Sequence, residues 1–270
     1  MTYTVNCSIL LTELPLLERP AAAKAAGFDA VEFWWPFAES VPADRDVDAF
    51  IGAIRDAGVQ LTGLNFNAGD MPAGDRGLVS WPARSGEFLD NIAVVAGIGA
   101  ALGTKGFNAL YGLRQDGVDA ASQDAVAIEN LAAAAAGVAA IGGTVLLEPV
   151  SGAPAYPLKT AADALRVIEA VREASGTSNL KLLADFYHLA VNGDDVAAVI
   201  EAHAGSFGHI QIADDPGRGA PGTGALPLDT WIARSRELGY DGPIGLEYKA
   251  PIDSAFAWLA AEPAAAGDAR

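Results

Sequence analysis

Short apolar runs alternate with longer amphipathic stretches from one end of the chain to the other. TVNCSIL is followed by a helical pattern around residues 18–26, AVEFWW by one near 46–57, and QLTGLNF by a long one near 86–102. KGFNALYG precedes a helix across 121–140, TVLLEPV one across 160–174, and LKLLADFYH one across 194–203. FGHIQIAD precedes one across 227–238, and GPIGLEYK a last one near 253–262. The short runs, rich in β-branched and aromatic residues, read as strands, and the 3.6-residue periodicity between them reads as helix. Glycine recurs just before a strand, in AAGFDAVEF, DAGVQLTGL, LGTKGFNAL, IGGTVLLEP and LGYDGPIGLE, where a helix C-cap would put it.

Eight strand-plus-helix units in 270 residues average about 34 residues each, the size of a strand with its crossover. The count predicts the α/β class and a (β/α)8 TIM barrel. With no Pro- or Ser-rich linker and no shift in composition, residues 1–270 form a single domain on this reading. A doubly wound open sheet is the alternative, but no G-x-G-x-x-G opens a helix after a strand. Two loops exceed the rest, NAGDMPAGDRGLVSWPAR after the third strand and ADDPGRGAPGTGALP after the seventh. Both fall on the strand-to-helix rim, where barrels of this kind build their sites.

Charge narrows the function. A net charge of -17 repels polyanions, so the reading includes no nucleic-acid partner. It leaves room for a small anionic substrate if a metal or a few placed cations reverse the local field. The single cysteine, Cys7, rules out an internal disulfide and reads as core packing in a reducing compartment. The opening MTYTVNCSILLTELP lacks a basic n-region and reaches Glu13 too early for a signal peptide, so the expected location is cytoplasmic. The longest uncharged run, Leu131 to Leu147, is broken by Gly142 and Gly143 and reads as helix, turn and strand, with no membrane partner.

Candidate chemistry begins with Glu148, which ends the apolar run of TVLLEPVSG. A lone carboxylate on a strand covered on both faces would lose several kcal/mol of hydration unless paired or metal-bound. Asp185 and His188 lie in ADFYH on the sixth strand, Gln211 in HIQIAD on the seventh, and Glu247 in GLEYK on the eighth. The separations among Glu148, Asp185, Gln211 and Glu247 each span about one strand-helix unit, which predicts similar heights on neighbouring strands. Alternation puts His209, Gln211 and Ala213 on one face, and Gly245, Glu247 and Lys249 on one face of the next strand. Three carboxylates and an amide oxygen in a barrel mouth call for a hard divalent cation, Mg²⁺ or Mn²⁺; zinc would recruit more than the three His and one Cys present. His188 alone is a strand-exit histidine, and beside a metal a substrate donor or proton relay. His203 reads as a surface or capping histidine, and His209 as a structural partner of the site.

The pieces VNCSILL, AVEFWWPF, FNAGDMPAGDRG, LLEPVSG, DFYHLA, GHIQIADDPGRGAPGTG and GLEYKAP, in order over nearly the whole chain, resemble the hydroxypyruvate isomerase family of the xylose isomerase-like barrels. The resemblance implies a divalent metal held by Glu148, Asp185, Gln211 and Glu247, with Glu148 and Glu247 also handling protons. It implies that His188 and Arg218 contact substrate oxygens, and that the substrate is a small anionic sugar acid. The implied reaction interconverts hydroxypyruvate and tartronate semialdehyde through a cis-enediolate. A 2-oxo-tetronate isomerase or a ketose 3-epimerase acting on a longer sugar or sugar acid is the alternative, and Gln211 in place of the epimerases' His leans away from the latter. Proteins of this family are often homo-oligomers, though periodicity marks no interface here.

A substrate carboxylate needs a cation. Arg218, Lys249 and Arg76 are the candidates, Arg being suited to bidentate binding. Asn65 and Asn67 either bond ligand or close their turn, and Phe33-Trp34-Trp35 packs the mouth. The stretch NALYGLR departs from the family pattern at Leu113-Arg114, where the isomerases carry a Gly-Lys pair and a longer polar loop. Apurinic-site endonucleases share the barrel but need a His-rich zinc cluster and a basic DNA face, and a non-catalytic binding barrel would keep metal and ligand without turnover.

Overall fold

In the computed structural model, which describes residues 2–260, eight parallel strands close into one barrel in chain order, each paired with its neighbours and the eighth with the first. They are β1 (Tyr3–Asn6), β2 (Ala30–Phe33), β3 (Gln60–Asn65), β4 (Gly106–Asn108), β5 (Thr144–Leu147), β6 (Leu180–Asp185), β7 (Phe207–Ile212) and β8 (Ile244–Leu246). The helices are α1 (Arg19–Ala25), α2 (Asp44–Ala57), α3 (Ser85–Leu102), α4 (Ala120–Ala139), α5 (Ala161–Ser175), α6 (Phe186–Val191), α7 (Val196–His203) and α8 (Leu228–Glu237). The single-domain TIM barrel expected from the repeat is the observed architecture.

The strands are apolar toward the helices because both faces are covered. Val145 and Leu147 on β5, Leu182 and Ala184 on β6, Ile210 and Ile212 on β7, and Ile244 and Leu246 on β8 are all buried. Phe88 on α3 packs on Phe66 with ring centroids 5.4 Å apart, and Phe66 on Phe107 at 6.2 Å; burying each ring is worth roughly 1.5–3 kcal/mol. The stretch Pro82–Leu102 is apolar and long enough by composition to cross a membrane, but here Phe88, Val95 and Ile98 of α3 are buried in the core. Helices α2 and α3 end on left-handed Gly58 and Gly103, as the glycine pattern foretold, and α5 ends likewise on Gly176.

Two local readings need correction. ADFYH does not extend as strand through His188: the Asp185 side chain accepts from the Tyr187 and His188 backbone amides at 2.9 and 3.1 Å and caps α6, turning the chain into helix at once. The last helix expected near 253–262 is, in its described part, two short 3₁₀ turns, Ile252–Ser254 and Ala257–Ala260, that follow Pro251. The tail EPAAAGDAR lies outside the described residues.

The two long loops are braced. Gly77 has φ +117°, and a Cβ there would stand 2.0 Å from the Leu110 carbonyl oxygen, so only glycine lets the β3–α3 loop lie against the segment after β4. The β7–α8 loop winds about Asp214, whose buried carboxylate accepts from the amides of Asp215, Gly222, Gly224 and Leu226 at 2.8–3.0 Å.

Candidate active site

The rim at the C-terminal ends of β5 to β8 gathers four of the expected residues. Glu148 follows β5, buried, its Oε2 accepting from Asn108 Nδ2 at 2.7 Å and its backbone carbonyl from Tyr156 Oη at 2.9 Å. Asp185 ends β6 and pairs in register with Gln211 on β7, so the two side chains leave the sheet side by side. Glu247 follows β8, its amide bonded to the Ile212 carbonyl at 3.1 Å and its carboxylate to Arg218. Asp185 Oδ1 is engaged by the α6 amides, which leaves Oδ2 facing inward, 3.4 Å from Arg218 Nη2 and 3.6 Å from His188 Nε2.

His188 has a fixed tautomer. The Ser151 backbone amide donates to Nδ1 at 3.1 Å, and an amide N–H can only donate, so Nδ1 is the acceptor and the proton sits on Nε2. Ser151 Oγ adds a second contact to Nδ1 at 2.7 Å. Burial pushes the imidazole pKa down to about 4, so the ring is neutral at pH 7. Glu148, Asp185 and His188 each bring an atom within 4.8 Å of the others, but a protonated Nε2 donates a hydrogen bond and does not ligate.

The carboxylates are strongly perturbed. Burial raises the pKa of Glu148 well above the carboxylate range, and the charges of Glu247 and Asp185 raise it further. Burial lifts Glu247 to about 8, against the pull of Arg218. Arg218 is the counter-charge: its Nη2 donates to Glu247 Oε1 at 2.6 Å, its Nε to the Glu247 carbonyl at 3.0 Å, and its guanidinium lies 5.6 Å from the Tyr187 ring centroid. Its backbone is left-handed at φ +58°, strained for a non-glycine residue, and is held there by Asp214–Gly219 pairing below it and by the Lys249 amide on its carbonyl at 2.7 Å.

The other sequence candidates fall elsewhere. Lys249 is exposed, because β8 ends at Leu246 and the strand alternation that put Lys249 inward has stopped. The Arg76 guanidinium donates to the Met71 and Asp75 carbonyls at 2.9 and 2.6 Å and pins its own loop. Asn65 is buried in register with Asn108, whose amide reaches Glu148. Asn67 closes its turn, accepting from the Gly69 amide at 2.9 Å and donating to Ser40 Oγ at 2.6 Å. Cys7 is fully buried. Glu32, a carboxylate inside the apolar run AVEFWW, went unread although it carries the same signal as Glu148: it is buried on β2 and bonds Asn6, His209 and Gln211.

The donor set suits a hard cation. Glu148, Asp185 and Glu247 supply carboxylate oxygens, and the buried Gln211 Oε1 has no hydrogen-bond partner among the described residues, the condition of an amide oxygen reserved for a ligand.

A closed parallel barrel whose rim carries this acidic cluster agrees with sequence kinship: the profile of the xylose isomerase-like TIM barrel family matches residues 20–267, and the chain belongs to that family. Within it the chain is hydroxypyruvate isomerase-like, an isomerase of the aldose–ketose type. It is 53% identical to the putative hydroxypyruvate isomerase of Streptomyces coelicolor over 96% of this chain and 95% of that one. It is 32% identical to the hydroxypyruvate isomerase of Escherichia coli (92% and 93% covered) and 36% to the 2-oxo-tetronate isomerase of Cupriavidus necator (95% and 96%). Among solved structures, one described as AP endonuclease, family 2, from Brucella melitensis superposes with a TM-score of 0.85 at 30% identity, covering 97% of this chain and 99% of that one.

Proposed function

We propose that this protein interconverts hydroxypyruvate and tartronate semialdehyde, with a divalent metal, Mg²⁺ or Mn²⁺, held by Glu148, Asp185, Gln211 and Glu247. The observation that carries the reading is the pair Glu148 and Glu247: two buried carboxylates at the ends of β5 and β8, both with raised pKa, on either side of Asp185 and Gln211. The ion supplies Lewis-acid stabilisation of the negative charge that develops on the substrate oxygens.

The chain's own residues do the rest. The shift moves one proton from C3 to C2 and one from the C3 hydroxyl to the C2 oxygen. One glutamate takes the carbon-bound proton and the other delivers a proton to the neighbouring carbon; reversibility exchanges their labels. The His188 Nε2–H donates to the adjacent oxygens and relays the hydroxyl proton. Arg218, a planar fork already aimed into the mouth, binds the substrate carboxylate, and Trp34 and Tyr187 wall it from water. Asn65 lines the side of the pocket. The substrate is a small anionic sugar acid, nucleic acid and membrane take no part, and the reducing cytoplasm suits the free buried Cys7.

A second reading keeps the site and lengthens the substrate: the 36% identity to the Cupriavidus enzyme supports a four-carbon 2-oxo acid. An endonuclease reading of this chain, after the AP endonuclease description of the Brucella structure, is opposed by the net charge of -17 and by the mere three histidines. The deciding experiment is turnover by EDTA-stripped protein given back Mg²⁺ or Mn²⁺, with hydroxypyruvate, a four-carbon 2-oxo acid and a ketohexose in parallel. Metal-dependent conversion of hydroxypyruvate well above the others is the expected result. Preference for the four-carbon acid selects the second reading, and metal binding with no turnover of any of them makes the protein a binding barrel.

A further inference from the structure

Below the rim, Glu32 crosses the barrel axis from β2 to β7. Its Oε1 accepts from Gln211 Nε2 at 2.7 Å and from Asn6 Nδ2 at 3.2 Å, and its Oε2 stands 2.7 Å from His209 Nε2. Three nitrogens from two strands, Asn6 on β1 and His209 and Gln211 on β7, thus converge on one buried carboxylate. The barrel is emptied to make room for it. A Cβ on Gly245 would stand 2.7 Å from Gln211 Cγ, 2.8 Å from Glu32 Oε1 and 2.9 Å from His209 Nε2, and one on Gly63 would meet Glu32 Cβ at 3.3 Å.

An amide side chain has two faces of similar shape and opposite character, one accepting and one donating. Gln211 can serve a cation only with its oxygen turned up. A carboxylate beneath it decides the matter, because Nε2–H is attracted to Glu32 Oε1 and the opposite orientation would set oxygen against oxygen. The free Oε1 and the engaged Nε2 are therefore one fact: Gln211 Oε1 lacks a partner among the described residues because Glu32 holds the other end.

We propose that Glu32 is a positioning residue that locks the amide of Gln211 in its metal-facing orientation, with His209 and Asn6 fixing Glu32 in turn. This rests on the reading of Gln211 as a metal ligand. Removing a partner that orients a ligand costs roughly 10–100-fold in metal affinity. In Glu32→Gln the amide beneath Gln211 presents either face, and the orientation of Gln211 is no longer dictated. Exchanging the two, Glu32→Gln with Gln211→Glu, returns a single acceptor-donor arrangement, with the carboxylate now on the metal side.

The test is calorimetric titration of Mn²⁺ into EDTA-stripped full-length protein, alongside thermal melting. Wild type binds; Glu32→Gln is expected to bind about 10–100-fold more weakly, and the exchange variant to return to within about threefold of wild type. Glu32→Asp, which keeps the charge and the fold but withdraws the oxygen by one methylene, is expected to weaken binding as well and serves if Glu32→Gln does not fold. If both Glu32 variants bind Mn²⁺ as wild type does, or the exchange variant is no better than Glu32→Gln, the positioning role is overturned while the metal site stands. If wild type itself gives no Mn²⁺ isotherm, the metal reading falls and this inference with it.

Discussion

Arg218 and Glu247 are joined twice across the mouth of the barrel, Nη2 to Oε1 at 2.6 Å and Nε to the backbone carbonyl at 3.0 Å. With Asp185 Oδ2 at 3.4 Å, this one guanidinium offsets two buried carboxylates. Arg218→Met should therefore destabilise the EDTA-treated protein above about pH 8, where Glu247 is ionised, by about 3–5 kcal/mol, the cost of stranding a buried charge. Arg218→Lys should keep most of that stability yet raise KM more than it lowers kcat, because an ammonium cannot grip a carboxylate with two parallel bonds. Urea unfolding and steady-state kinetics on the two variants separate the effects.

Glu148→Gln and Glu247→Gln should each lower kcat by roughly 10²–10⁴-fold, the usual worth of a general acid or base, while circular dichroism stays that of wild type. Near-wild-type turnover from either variant would remove the two-carboxylate scheme.

The raised carboxylates give the metal-stripped protein a characteristic pH profile. The folded chain holds the Glu247 proton from the ordinary 4.5 up to about 8, so this group favours folding at low pH and its contribution is lost as pH rises through about 8. His188 acts in the opposite direction: its folded value of about 4 lies below 6.5, so its contribution is present above 6.5 and lost as pH falls toward 4. Between pH 6.5 and about 8, above the His188 window, melting temperature should fall with rising pH more steeply in wild type than in Glu247→Gln; equal slopes over that window would contradict the assignment.

Asp214 should matter to the substrate although it does not face it. Its carboxylate satisfies four amides of the loop that carries Arg218, and each buried donor left unmet costs about 1–3 kcal/mol. Asp214→Ala is expected to admit protease within residues 215–226 and to raise KM, and an unchanged KM with a cut loop would dissociate Arg218 from its support.

Much of this site is legible along the chain because each strand end delivers one residue. Glu148, Asp185, Gln211 and Glu247 follow apolar runs at intervals of one strand-helix unit, and the barrel brings them to one rim with no further information needed. What stays hidden depends on pairs remote in sequence. Glu32 stands in AVEFWW as plainly as Glu148 in TVLLEPV, but its partners His209 and Gln211 are 177 and 179 residues away. Lys249 shows the converse error, since alternation holds only while the pleat lasts and β8 is three residues long. The helix start at Phe186 was masked by aromatic residues that suit a strand equally well; the Asp185 cap decided it.

The closing pair of strands also determines when this site first exists. Tyr3 pairs with Ile244, the Ile244 amide bonds the Thr2 carbonyl at 3.0 Å, and Glu247 stands three residues further on. Glu148, Asp185 and Gln211 are therefore all synthesised before Glu247 emerges and the ring can shut. A product truncated before residue 244 leaves β1 and β7 as open sheet edges, prone to pair with other chains. It also lacks Glu247 and with it the clasp on Arg218, so the acidic rim and its counter-charge take their places only when the ring closes.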